Sequence, residues 1–243
     1  MTALLVTFLL SAIFLIGVAL GSLVENEERI ESVSVALAFG AMTAVAVFDI
    51  IPEIAEGIGN NGASVWAVVA VTLLGFFILL VLDRFVPEHE GSEKTREGNL
   101  VHIGIMATLA IVIHNIVEGM SVYSISSSSL LSGLLLGLGV ALHNIPMGIL
   151  ISSTTRSEKP WKRGVIIAVS SLSTFMGGIV MMLLESVVSP LVVELLTSLA
   201  LGMVLYILLL ELLPDVIHSG NRLLSLFWIM VGLTLVIVGG FFG

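Results

Sequence analysis

Residues 100–151 read LVHIGIMATLAIVIHNIVEGMSVYSISSSSLLSGLLLGLGVALHNIPMGILI. Two apolar runs, 100–123 and 130–151, flank the polar break SISSSS. Each run exceeds the about 20 residues that carry a helix across roughly 30 Å of hydrocarbon. The break is too short to hold a further element. The runs therefore read as two antiparallel membrane helices joined by a tight turn. Deep within them stand His114-Asn115-Ile116-Val117-Glu118-Gly119 and His143-Asn144-Ile145-Pro146-Met147-Gly148.

The rest of the chain follows the same pattern. Further apolar segments cover 2–23, 33–51, 63–82, 164–186, 191–213 and 223–242, which makes eight in all. The 243 residues are 57% hydrophobic and only 11% charged, with a mean hydropathy of +1.15. A soluble domain carries about 25% charged residues. The composition excludes a water-soluble globule and a disordered chain. It specifies an all-α, polytopic membrane protein. Eight spans consume roughly 160 to 180 residues, so one transmembrane domain over residues 1–243 is expected. No Lys or Arg precedes the first segment and no cleavage pattern follows it, so it reads as a membrane helix rather than a signal peptide. The absence of Cys excludes disulfides, iron–sulfur clusters and thiolate metal sites. The net charge of -9 comes mostly from loop acids, and no basic patch suggests nucleic acid.

Numbering segments 1–8 and the loops between them orients the chain. Arg29 lies in loop 1. Arg84, Lys94 and Arg96 lie in loop 3. Arg156, Lys159, Lys162 and Arg163 lie in loop 5, and Arg222 in loop 7. All nine basic residues therefore occupy odd loops. The positive-inside rule places those loops in the cytoplasm and both termini outside the cell membrane. The chain also repeats itself. Asp49-Ile-Ile-Pro52-Glu53 closes segment 2 and Glu211-Leu-Leu-Pro214-Asp215 closes segment 7, in opposite directions across the membrane. The two His-Asn motifs of segments 4 and 5 are opposed in the same sense. Segments 1–3 are thus expected to be related to 6–8, and 4 to 5, by inversion. Inverted repeats with a midplane site between them mark transporters. Taken alone, an acid-x-x-Pro-acid pattern is merely a common helix ending.

His114 and Glu118, four residues apart, lie about 40° apart around a helix. Asn115 shares their face, and His143, Asn144 and Met147 repeat the arrangement in segment 5. If the faces meet, two imidazoles, a carboxylate and two amide oxygens converge. Imidazole and carboxylate suit zinc, ferrous iron and related divalent ions. A carboxylate at mid-membrane is a functional candidate unless it is neutral and serves a helix contact. Pro146 frees the carbonyl of Leu142; it either breaks the helix beside an ion site or simply kinks it. Pro52 and Pro214 read as helix ends or bends. Asp49, Glu53 and Glu56 fall toward the outer face and suit a cation-attracting vestibule. Glu185 and Glu194 fall on the same outer face and could join that vestibule, but read first as ordinary interfacial carboxylates. Glu211, Asp215 and His218 fall toward the inner face, as an exit relay or as solvated groups. His89 and His102 are single histidines near loop 3, and no His-rich tract accompanies them. Gly17/Gly21 and Gly133/Gly137 have the spacing of close helix contacts.

Eight helices, outward termini, HNxxEG in segment 4 and HNxPxG in segment 5 resemble the ZIP (Zrt-/Irt-like) divalent metal transporters, particularly the short prokaryotic members. The resemblance covers the whole chain. It implies uptake of zinc, iron, manganese or a related ion into the cytoplasm across the plasma membrane, with zinc first among them. It implies a first metal position at His114, Glu118 and His143, and a second at Asn115, Glu118 and Asn144. It also implies alternating access by helices 1, 4, 5 and 6 moving against 2, 3, 7 and 8, and a homodimer. Two departures matter. The family's segment 5 motif commonly ends HxxPxE, where this chain has Met147. Many members carry a Glu in segment 6 about where Thr174 stands. Loss of those charges predicts one bound metal rather than two, weaker binding or altered ion preference, and dependence on another acid such as Asp49 or Glu211. Met147 either packs or offers a thioether to a softer ion. An intramembrane metalloenzyme competes with this reading, although no HExxH or GxSxG motif occurs. A degenerate, non-transporting homologue is the other alternative.

Overall fold

The computed structural model describes residues 2–24, 27–85 and 96–240. His89 and Lys94 lie outside the described residues. Among the described residues there is no strand. Among those same residues, eight helices are long and apolar enough to cross a membrane. They are span 1 (Thr2–Leu23), span 2 (Ile30–Asn60), span 3 (Val65–Asp83), span 4 (Leu100–Ser128), span 5 (Leu130–Thr154), span 6 (Pro160–Leu184), span 7 (Pro190–Ile217) and span 8 (Arg222–Gly240).

The polar breaks of the sequence become helix caps. Ser64, Ser129 and Ser189 each accept from the backbone N–H three residues on, at 3.1, 3.3 and 3.4 Å. Pro160 and Pro190 occupy the first helical position, where no N–H is needed. Several hydroxyls inside the spans return to their own backbone. Thr43, Thr108 and Thr234 donate to the carbonyls four residues back at 2.7 to 2.8 Å. Hydrocarbon offers them no other partner.

Pro52 and Pro214 end nothing. Span 2 runs on to Asn60 and span 7 to Ile217. Each proline follows one widened turn, Val45–Ile50 in span 2 and Ile207–Leu212 in span 7. There the N–H of Ile51 bonds Ala46 O, and that of Leu213 bonds Leu208 O, both five residues back. The wider turn accommodates a residue that can neither donate nor approach the carbonyl four positions earlier. Asp49 and Glu211 sit within these turns, so the repeated acid-x-x-Pro marks a π-turn rather than a helix end. Pro146, in contrast, lies in a span that stays α-helical throughout.

Small residues set the packing. A Cβ at Gly17 would overlap Ile145 O, and one at Gly148 would overlap Phe14 O, which joins spans 1 and 5. Gly119 meets Thr174 O and Gly177 meets Ile116 O, joining spans 4 and 6. Gly40 faces Ile229 O and Gly232 faces Leu37 O, joining spans 2 and 8. Gly75 faces Leu199 O and Gly202 faces Thr72 O, joining spans 3 and 7. The expected Gly133/Gly137 contacts are made with Ser126 and Leu10. These four tight reciprocal pairs fall within two groups, spans 1, 4, 5 and 6 and spans 2, 3, 7 and 8, while a looser fifth pair, Gly139 of span 5 and Gly239 of span 8, joins them. Between the groups lies a side-chain core that includes Ala38, Ala41 and Met42 of span 2 and Met147, Leu150 and Ile151 of span 5.

Dispersion between closely approaching backbones holds such pairs together in lipid. Gly40→Val is therefore expected to destabilise the protein by about 1–3 kcal/mol, because backbone, not a rotamer, must yield. Thermal melting in detergent reads the loss. An unchanged melting temperature would refute this packing.

Candidate metal site

Span 4 presents His114 and Glu118 from one face, and span 5 brings His143 against them. Glu118 Oε1 lies 3.0 Å from His143 Nε2 and 3.9 Å from His114 Nε2. One ligand atom from each of the three residues fits within 4.8 Å of the others. Ligand atoms about 2.0–2.1 Å from one tetrahedral zinc stand roughly 3.3 Å apart. The spacing therefore suits a single ion. The two imidazoles are 5.9 Å apart between ring centres and tilted by 46°, so they do not stack. His114 Nε2, Glu118 Oε2 and His143 Nδ1 are buried without a hydrogen-bond partner. Buried polar atoms are ordinarily satisfied, so the unsatisfied ones suit a ligand.

The supporting residues are arranged around this triad. Asn115 and Asn144 are each 1% exposed. The Asn115 Nδ2 and both amide atoms of Asn144 have no hydrogen-bond partner. Met147 is buried, and with His114, His143 and Asn115 it walls a cavity of about 20 Å³. That is room for one water-sized occupant. Thr174 is buried beside span 4, its carbonyl against Gly119 and its hydroxyl without a partner. Asp49 is half-buried and close enough to His143 and Glu118 to interact electrostatically. Glu53, one turn further along span 2, is likewise within electrostatic reach of Glu118 and Asp49.

A second cluster forms at the other end of the bundle. Asp83 closes span 3, His102 opens span 4 and Glu211 comes from the π-turn of span 7. His102 Nε2 lies 2.6 Å from Asp83 Oδ1 and 3.7 Å from Glu211 Oε1. The Tyr206 hydroxyl donates to Glu211 Oε1 at 3.5 Å. Glu211 thus meets Asp83 and His102. Asp215 is half-buried, and the exposed His218 donates from Nδ1 to Pro214 O at 2.7 Å. Sequence reasoning missed Asp83. The available signal was an acid ending segment 3 and a histidine starting segment 4. Nothing in the sequence placed Glu211 beside them.

Glu194 is not an exposed interfacial acid. It is 4% exposed and lines a cavity together with Glu53, as the vestibule alternative has it. The half-buried interior beside the triad and the two flanking acid clusters lie between the two groups of spans.

Residues 87–239 match the family model described as ZIP zinc transporter. The chain belongs to the ZIP zinc transporter family. Its molecular class is accordingly a membrane transporter of divalent metal, not an enzyme. Among similar proteins are the zinc transporters ZupT of Enterobacter sp. (strain 638), Salmonella newport and Salmonella typhimurium. Each is 28% identical over 221 residues, which covers 87% of this chain and 85% of the relative.

Proposed function

We propose that this protein moves one divalent transition-metal ion at a time, zinc first among them, into the cytoplasm by alternating access. His114, Glu118 and His143 hold the ion. The observation that carries this reading is their convergence at zinc-compatible spacing with unsatisfied donors in the membrane interior. Asn115 and Asn144 back the triad, and the small cavity beside Met147 favours a mononuclear site. One carboxylate leaves a divalent ion only half neutralised where the dielectric is low. Asp49 stands near enough to supply the balance.

The transporting unit is the single transmembrane domain of residues 1–243. The inverted repeat is supported by two independent features. Exchanging spans 1–3 with 6–8, and 4 with 5, converts the 1·5 contact into 6·4 and the 2·8 contact into 7·3. It also superposes the π-turns of spans 2 and 7. Alternating access is supported by the same contacts, because the tightest backbone pairs knit each group, while the groups meet through side chains and one looser glycine approach, Gly139 of span 5 against Gly239 of span 8. Such an interface can slide while each group stays rigid. Basic residues at the odd loops favour outward termini. Asp83, His102 and Glu211 then face inward and receive the released ion, with Asp215 and His218 beyond them. The plasma membrane and the homodimer are carried over from the family.

Purified protein in liposomes loaded with a zinc indicator is expected to show saturable zinc entry. His114→Ala is expected to abolish it without changing the elution profile or helical content. Wild-type entry rates in that variant would refute the site.

A further inference from the structure

The outer cavity holds about 260 Å³ and lies between the two groups, walled by Glu53 and Asn61 of the span 2 end, Met120 and Ser121 of span 4, Met181 of span 6 and Glu194 of span 7. Glu194 is built into it. Asn61 Nδ2 donates to Glu194 Oε2 at 2.9 Å, while Oε1 is buried without a partner. A Cβ at Gly57 would overlap the Glu194 carboxylate, so any larger residue there would push that carboxylate out of this position. Glu53 is close enough to interact electrostatically with Glu194, Glu56, Asp49 and Glu118. An unsatisfied, desolvated carboxylate oxygen amid like charges is costly unless a cation meets it.

We propose that Glu194 and Glu53 bind a partly hydrated divalent cation in this cavity, at a second metal site distinct from His114, Glu118 and His143. Its role as a loading station rests on the transport reading above. Six waters at roughly 30 Å³ each occupy about 180 Å³, which this cavity accommodates. The 20 Å³ cavity beside the triad does not. The outer site thus takes an ion with its water, through oxygen ligands suited to a hydrated cation. The inner imidazoles take it stripped. The electrostatic chain from Glu53 through Asp49 to Glu118 gives the route between them.

The experiment titrates zinc chloride into purified protein by calorimetry. The parent is His114→Ala/His143→Ala, which removes the inner site. Adding Glu194→Gln is expected to remove one zinc equivalent from that parent. Gly57→Ala in the same parent retains every charge but displaces the carboxylate, and is expected to weaken the same equivalent about tenfold, the loss of a charge-assisted contact. It also carries the test should the Gln variant misfold. An unchanged titration in the folded variants overturns the proposal. In liposomes, Glu194→Gln alone is expected to raise the zinc concentration for half-maximal entry about tenfold with the maximal rate retained. Absence of zinc entry in the wild type would overturn the transport reading while leaving the binding count to stand or fall separately.

Discussion

Glu118→Gln is expected to abolish zinc entry into liposomes while leaving the fold intact. Glu118 is the one carboxylate of the triad, with Oε1 within 3.0 and 3.9 Å of the two imidazole Nε2 atoms. An amide has the same shape and still accepts through its oxygen, but it brings no charge to a divalent ion in a low-dielectric interior. Charge-assisted contacts are about twice as strong as neutral ones, and here the lost charge is the ion's only direct anionic partner. Inner-site affinity is expected to fall at least about a hundredfold, roughly 3 kcal/mol. Protein stability without metal should change little, because the His143 imidazole left without its carboxylate can stand neutral and so leaves no uncompensated buried charge. Zinc flux and the metal-free melting temperature, measured together, separate the two effects. Retained flux would remove Glu118 from the carrier site. Lost flux accompanied by unfolding would make its role structural.

Met147→Glu is expected to raise metal stoichiometry by one equivalent. Met147 is 4% exposed and shares the small cavity wall with His114, His143 and Asn115. A carboxylate there faces the same interior as Glu118. Two anions in that space repel strongly when empty and are relieved by a second cation. The variant should therefore melt lower than the parent without zinc, and zinc should raise its melting temperature more than the parent's. Performed in a Glu194→Gln background, the count reports the inner region without the outer cavity. An unchanged stoichiometry would show that Met147 is not what limits the site to one ion, and would refute the mononuclear reading. This substitution also tests the charge balance. With a second inner carboxylate, Asp49 should become dispensable for zinc entry, whereas in the parent Asp49→Asn should slow it.

The sites differ in how far the chain itself displayed them. His114 and Glu118 were legible because helix periodicity alone puts i and i+4 on one face. The two His-Asn motifs were placed on neighbouring antiparallel helices by the six-residue polar break between them, although the break does not fix which faces of those helices meet. Pro52 and Pro214 were read as helix ends or bends, and the helix end did not hold. Helix-ending behaviour is the ordinary consequence of a missing N–H, but a π-turn absorbs it without ending the helix, and the pattern before Pro52 and Pro214 carries no local mark of that choice. For Glu194 the plainer interfacial reading was preferred to the vestibule. Its place near the start of span 7 matches any interfacial acid, and the residues that bury it, Gly57 and Asn61, come from the far end of span 2.

Composition, segment length and the placement of nine basic residues were enough to establish eight membrane helices and to predict their orientation, because crossing a bilayer is a constraint on each segment separately. Those same features revealed which faces are polar. They left open which polar faces meet. That was decided by the glycine contacts, which bring spans 1 and 5, 4 and 6, 2 and 8, and 3 and 7 to backbone distance. Such contacts depend on the shape of both partners at once, and in lipid no hydrophobic gain selects one pairing over another. The meeting of Glu118 with His143, of His102 with Asp83 and Glu211, and of Glu194 with Asn61 therefore belongs to the tertiary structure.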